Sequence, residues 1–142
     1  MIGLILAVVL SQLPSSVLTP GANDTSVLMN VPLKTLCTVG YTSTVRNVPE
    51  ALKREVFKEY GVNPRIGGPY EVDHLCSLEL GCNNSLKNLW PESYVTVPWN
   101  AHKKDQLENK LHSLVCSGKL PLSEAQKEIS TDWISAYERY IR

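Results

Sequence analysis

Between Tyr70 and Gly118 the chain changes its hydrophobic period, and that change limits the folds open to it. Tyr70 to Leu75 alternates as a half-buried strand does, and Leu78 to Leu80 adds a second apolar segment before the turn residues Gly81-Cys82-Asn83-Asn84. From Asn100, a good N-cap, the period becomes helical, and Leu107, Leu111, Leu114 and Val115 form a stripe that ends at Gly118. A hairpin followed by a helix calls for a mixed α+β fold in which both elements bury their apolar sides together.

The flanks add helices. Pro49 suits the first turn of a helix carrying Leu52, Val56, Phe57 and Tyr60 until Gly61 stops it. Ser123 with Gln126 reads as a capping box for a last helix, with Ala125, Ile129, Trp133, Ala136, Tyr137 and Tyr140 on one side. Residues 33–46, with Leu36, Val39, Tyr41 and Val45 among Thr and Ser, suggest one or two short strands. Pro14 to Pro32 reads as an extended arm or linker, and there is no internal repeat.

A chain of 142 residues fits one domain. Residues 2–10 are uncharged and mostly apolar, too short to span a bilayer but suited to an export signal, although no Lys or Arg precedes them. The expected division is therefore an apolar leader over 1–17 and a single domain over 18–142, with a secreted or periplasmic location and no stable membrane span. Fourteen basic residues balance fourteen acidic ones, so any nucleic-acid binding must be local, since phosphate neutralisation is the general source of such affinity.

Cys37, Cys76, Cys82 and Cys116 include no Cys-x-x-Cys pair, which argues against a zinc ribbon. In an exported chain an even count favours disulfides, and three connectivities are open. Cys37 with Cys116 is the favoured pair because each sits at the edge of an element; in a reducing compartment all four would be thiols.

The chemistry-bearing residues gather in the same stretch. Asp73 and His74 end the alternating run, and on a strand they point to opposite faces. Asp73 offers the hard oxygen that Mg²⁺ or Mn²⁺ prefers, while His74, with an unperturbed pKa of about 6.5, suits proton transfer from water. His102 lies off the apolar stripe of its helix and is free to face the hairpin. His112 lies about 15 Å further along the axis, too far to share an ion with it, and reads as a packing or surface residue.

Taken in order, Asp73-His74, the Gly81-Cys82-Asn83 turn, Asn88-Leu89 and a histidine at a helix start resemble the HNH, or ββα-metal, endonuclease motif. The stretches Asn-Leu-Trp-Pro-Glu, Ala-His-Lys-Lys-Asp-Gln-Leu-Glu, Val-Cys-Ser-Gly and Asp132-Trp133 are similar to small secreted bacterial and phage proteins of that kind. The resemblance runs from about Leu18 to the end. It implies a ββα-metal hairpin-helix core packed with flanking helices, and hydrolysis of phosphodiester bonds in DNA, or in RNA, with low sequence specificity.

By the same resemblance His74 is the general base, Asn88 fixes the loop that aims it, and Asp73 and His102 hold one divalent metal ion, Mg²⁺ or Mn²⁺. Asn100 competes with His102 as ligand, because the connection from Asn88 is longer than in compact members. Arg46, Arg65, Lys103 and Lys104, with Lys110 beside them, are the cations expected at the nucleic-acid phosphates. Cys76 and Cys82 depart from the motif's usual residues and suggest a further disulfide across the hairpin. The alternative implied is a catalytically inactive, disulfide-stabilised secreted module that keeps the hairpin and acts by binding.

Overall fold

The computed structural model describes residues 12–141, so most of the apolar leader expected over 1–17 lies outside the described residues. Gln12 already belongs to the fold. Its amide donates to the Val97 carbonyl at 3.1 Å, and its own carbonyl accepts the Trp133 indole N–H at 3.1 Å. Two 3₁₀ turns, Gly21–Asn23 and Thr25–Val27, follow, and Leu28 makes an isolated bridge to Cys82.

Residues 33–46 are helical, not extended: α1 spans Leu33–Leu36 and α2 spans Tyr41–Val45. Each buries a single residue, Leu36 and Tyr41. A strand would bury every second side chain, and among the described residues this stretch has no partner strand, so short helices satisfy the peptide groups locally. Gly40, at φ 86°, makes the turn between them, where a residue with a Cβ would be strained. Helix α3, Glu50–Tyr60, is bounded by Pro49 and Gly61 as the sequence predicts.

Strand β1, Tyr70–His74, pairs antiparallel with β2, Leu89–Ser93, in the register Glu71 with Glu92, Asp73 with Trp90 and His74 with Leu89. The second arm is thus the Leu-Trp-Pro-Glu-Ser segment, and Leu78–Leu80 is a 3₁₀ turn between the arms. In a two-stranded sheet both strands are edges, so Pro91 costs no ladder bond that a neighbour needs.

Helix α4, Ala101–Cys116, begins where Asn100 Oδ1 accepts the Lys103 N–H at 3.1 Å. The expected single last helix is two, α5 at Leu122–Thr131 and α6 at Trp133–Tyr140. Asp132 breaks them with an extended backbone and then caps α6, accepting the Ser135 N–H at 3.1 Å. The capping box does not form: Pro121 is the N-cap, and Gln126 instead donates to the Leu80 carbonyl at 2.8 Å.

Leu75, Leu80 and Trp90 from the hairpin region meet Leu107 and Leu111 of α4 and Ile129 and Trp133 of α5 and α6 in one apolar core. Two disulfides brace it. Cys37–Cys116, the favoured pair, ties the end of α1 to the end of α4, and Cys76–Cys82 closes the loop between the arms. In the chain-entropy picture the 79-residue closure is worth about 4.5 kcal/mol and the six-residue one about 2 kcal/mol. No described helix is long and apolar enough to cross a membrane.

Candidate functional site

The hairpin ends in a cavity of about 310 Å³ walled by Arg46, Glu71, Asp73, His74, Asp105 and Glu108. A second hollow of about 360 Å³ shares Arg46, Glu71 and His74 with it and adds Lys53, Phe57 and Tyr70. A larger hollow near Leu13 and Trp133 holds none of the residues expected to carry chemistry.

His74 is only 5% exposed. Its Nε2 lies 2.9 Å from Asn84 Oδ1, and the Asn84 amide nitrogen donates to the Val45 carbonyl at 2.9 Å. That second bond fixes the amide's orientation, so Nε2 carries the proton and the neutral ring keeps its lone pair on Nδ1. Burial pulls the imidazole below its usual pKa, against the Asn84 bond and the Asp73 carboxylate, which favour the charged ring. The outcome is a neutral ring near pH 7, the form that accepts a proton.

Asn88 is fully buried and does not face the cavity. Its Oδ1 accepts the Cys76 N–H at 2.9 Å, and its Nδ2 donates to the carbonyls of Cys76 at 2.8 Å and Asn83 at 2.9 Å. One side chain thereby closes the loop that begins just after His74.

Asp73 lies on the other face of the strand and meets an unexpected partner. Lys104, wholly buried, places Nζ 2.7 Å from Asp73 Oδ2, 2.7 Å from Glu108 Oε1 and 2.9 Å from the His74 carbonyl. Trp90 also donates its indole N–H to Asp73 Oδ2 at 3.1 Å. Burial alone would push the ammonium's pKa down, but Asp73, Glu108 and Glu92 outweigh it and hold Lys104 charged. The carboxylates bear the reverse effect. Burial raises Asp105 and Glu108, with Asp73 adding to it in both.

The expected helix ligand is elsewhere. His102 is exposed and rests against Tyr94, ring centroids 5.3 Å apart, and among the described residues it joins no group able to hold an ion. The hairpin lies on the side of α4 that carries Lys104, Leu107 and Leu111. A residue two positions before Lys104 is turned about 200° away, so leaving the apolar stripe also means leaving Asp73. Asn100 is committed as N-cap and also donates to the Thr96 carbonyl at 3.1 Å. Among the described residues, the helix groups of metal-ligand type that come within 4.8 Å of Asp73 are Asp105 and Glu108.

The cations divide similarly. Arg46 is exposed and borders both hollows, whereas Arg65 is exposed in its loop and borders neither. Lys103 stands over the rings of Trp99 at 5.9 Å and Tyr137 at 5.3 Å. Lys104, expected at the phosphates, has no surface from which to touch one. His112 packs between helices, its Nε2 3.2 Å from the Leu36 carbonyl.

The residues the sequence reading passed over are therefore Glu71, Asn84, Glu92, Lys104 in its buried role, Asp105 and Glu108. Two signals point to them. Glu71 and Asp73 alternate on one strand face, and Lys104 continues the stripe of Leu107, Leu111 and Val115 one turn back. Comparison with protein-family models, with curated proteins and with solved structures found no match.

Proposed function

We propose that the protein is a metal-dependent endonuclease of the HNH kind, cleaving phosphodiester bonds in DNA or RNA with His74 as general base. One observation carries this reading: a buried, neutral imidazole, oriented by Asn84, borders a polar cavity that it shares with Arg46 and a group of carboxylates. Arg46 holds a phosphate next to the imidazole, and Nδ1 of His74 takes the proton from the attacking water. Asn88 and the Cys76–Cys82 bridge keep the loop after His74 in one conformation, so the ring is aimed before substrate arrives. Phe57 and Tyr70 beside Arg46 and Lys53 offer aromatic faces and cations together, a pairing that accepts bases without reading them.

The cavity wall carries more carboxylates than cations, and Lys104 is already engaged inside, so a bare phosphate meets net repulsion. A bound cation resolves that conflict. Asp73, Asp105 and Glu108, all hard oxygen donors within 4.8 Å of one another, fit Mg²⁺ or Mn²⁺ and stand in for the expected Asp73 and His102 pair. Such an ion supplies positive charge where the phosphate oxygens and the leaving oxygen become more negative. The two disulfides support a secreted or periplasmic location.

Plasmid digestion by the purified chain with Mg²⁺, with EDTA, and with His74→Ala tests the reading. Removal of the base is expected to slow cleavage by about 10² to 10⁴-fold, and chelation to stop it. Equal rates for the variant and the wild type would remove His74 from the chemistry. One observation favours a second reading, an inactive binding module: the Lys104 ammonium already sits between Asp73 and Glu108, a resident positive charge for the acids. A wild type that cuts neither DNA nor RNA with any divalent ion would select it.

A further inference from the structure

A different set of three carboxylates, on the hairpin itself, has among the described residues a single ammonium beside it, that of Lys104 on Asp73 Oδ2. Glu71 and Glu92 are directly opposite in the strand register, and Asp73 is two residues along on the same face. Like charges opposite each other on a sheet are destabilising. Glu92 is 2% exposed, and among the described residues neither of its carboxylate oxygens has a hydrogen-bond partner. Oxygens of Glu71, Asp73 and Glu92 nevertheless lie within 4.8 Å of one another.

Nearby donors do not relieve this. The three N–H bonds of Lys104 are engaged by Asp73 Oδ2, Glu108 Oε1 and the His74 carbonyl, which leaves none for Glu92. The Trp90 indole also goes to Asp73 Oδ2, so Oδ1 is the oxygen left over. Tyr94 donates its hydroxyl to Glu71 Oε2 at 2.6 Å, which serves one oxygen of one acid. A buried carboxyl group without partners is costly whether charged or neutral, because it forfeits the bonds it makes to water in the unfolded chain.

We propose that Glu71, Asp73 and Glu92 form a cation site of their own, one that takes a hard divalent ion such as Mn²⁺ or Ca²⁺ and ties β1 to β2. Glu71 borders both hollows, so the ion has a route in from the cavity side. The site is distinct from the Asp73, Asp105 and Glu108 group, with which it shares only Asp73, and it requires no nuclease activity.

The test is a titration of the full chain with Mn²⁺, counting bound ions by electron paramagnetic resonance in the wild type, Glu92→Gln and Asp105→Asn. Glu92→Gln is expected to bind one ion fewer than the wild type, while Asp105→Asn keeps that ion. The same count and affinity in Glu92→Gln and the wild type overturns the site, as does a wild type that binds no ion. Loss of the same ion in Asp105→Asn also overturns it, by assigning the ion to the cavity. Should Glu92→Gln fail to fold, Glu71→Gln carries the same expectations. Cleavage is not part of this readout, so failure of the nuclease reading, judged with His74→Ala, leaves it unaffected.

Discussion

The two ends of helix α4 face the same interior and solve it with opposite chemistry. Toward the C-terminus, Leu107, Leu111 and Val115 pack on α5 and α6 in an ordinary apolar layer. One turn toward the N-terminus, on the same stripe, Lys104 is equally buried among Asp73, Glu108 and the end of β1. The apolar end gains from area removed from water and tolerates approximate fit, whereas the polar end gains only while every partner is present. The end of β1 is thus held to the helix by a polar arrangement that depends on every partner, beside the apolar contacts of Leu75 and Trp90, and the residues proposed to act sit on that polar side.

Removing Lys104 should break the comparison most sharply. Lys104→Ala leaves Asp73 and Glu108 buried without their ammonium, and urea denaturation should show a loss of about 3 to 5 kcal/mol, as is usual when one member of a buried pair is deleted. A loss under about 1 kcal/mol would mean that water enters the polar end freely. At the apolar end, Leu111→Ala should cost about 2 to 5 kcal/mol by the same measurement.

The pH dependence sharpens the contrast. Burial and then Asp73 push Glu92 up to about 10 and Glu71 up to about 7, from an ordinary 4.5. Across that window these two acids bind more protons in the folded chain than in the unfolded one, so their contribution to stability is fully present below about pH 4.5 and is lost as pH rises through their folded values. In EDTA the thermal midpoint should therefore fall from pH 5 to pH 9, and Glu92→Gln should flatten the slope; parallel slopes would remove Glu92 as the cause. The smallest effect belongs to the surface. Lys103→Ala, which removes an ammonium from over Trp99 and Tyr137, should lower stability by about 0.5 to 1 kcal/mol in the same denaturation experiment.

Local signals made much of the scaffold legible in the sequence. Asn100 announces α4, Pro49 and Gly61 bound α3, and the paired Cys37 and Cys116 lie where element edges place them. Residues 33–46 misled because Thr and Val favour strands only where a neighbouring strand exists to pair with. The last helix was overextended because nothing in the apolar spacing shows that Asp132 turns its backbone to cap Ser135. Asp73 and His74 are legible as a polar pair ending β1, and both line the cavity, but the groups they meet are not legible. A lysine is counted as surface by default, and only the phase of the stripe through Leu107 and Leu111 betrays that Lys104 points inward. The same phase turns His102 outward.

The burial of Lys104 has a practical corollary. An amine-reactive reagent meets the exposed lysines of the native chain directly, but this one only after the hairpin and α4 separate. Its acylation rate, followed by peptide mass, would then clock that separation alone, and a slower rate with divalent ions present would show how firmly they clamp the two elements together.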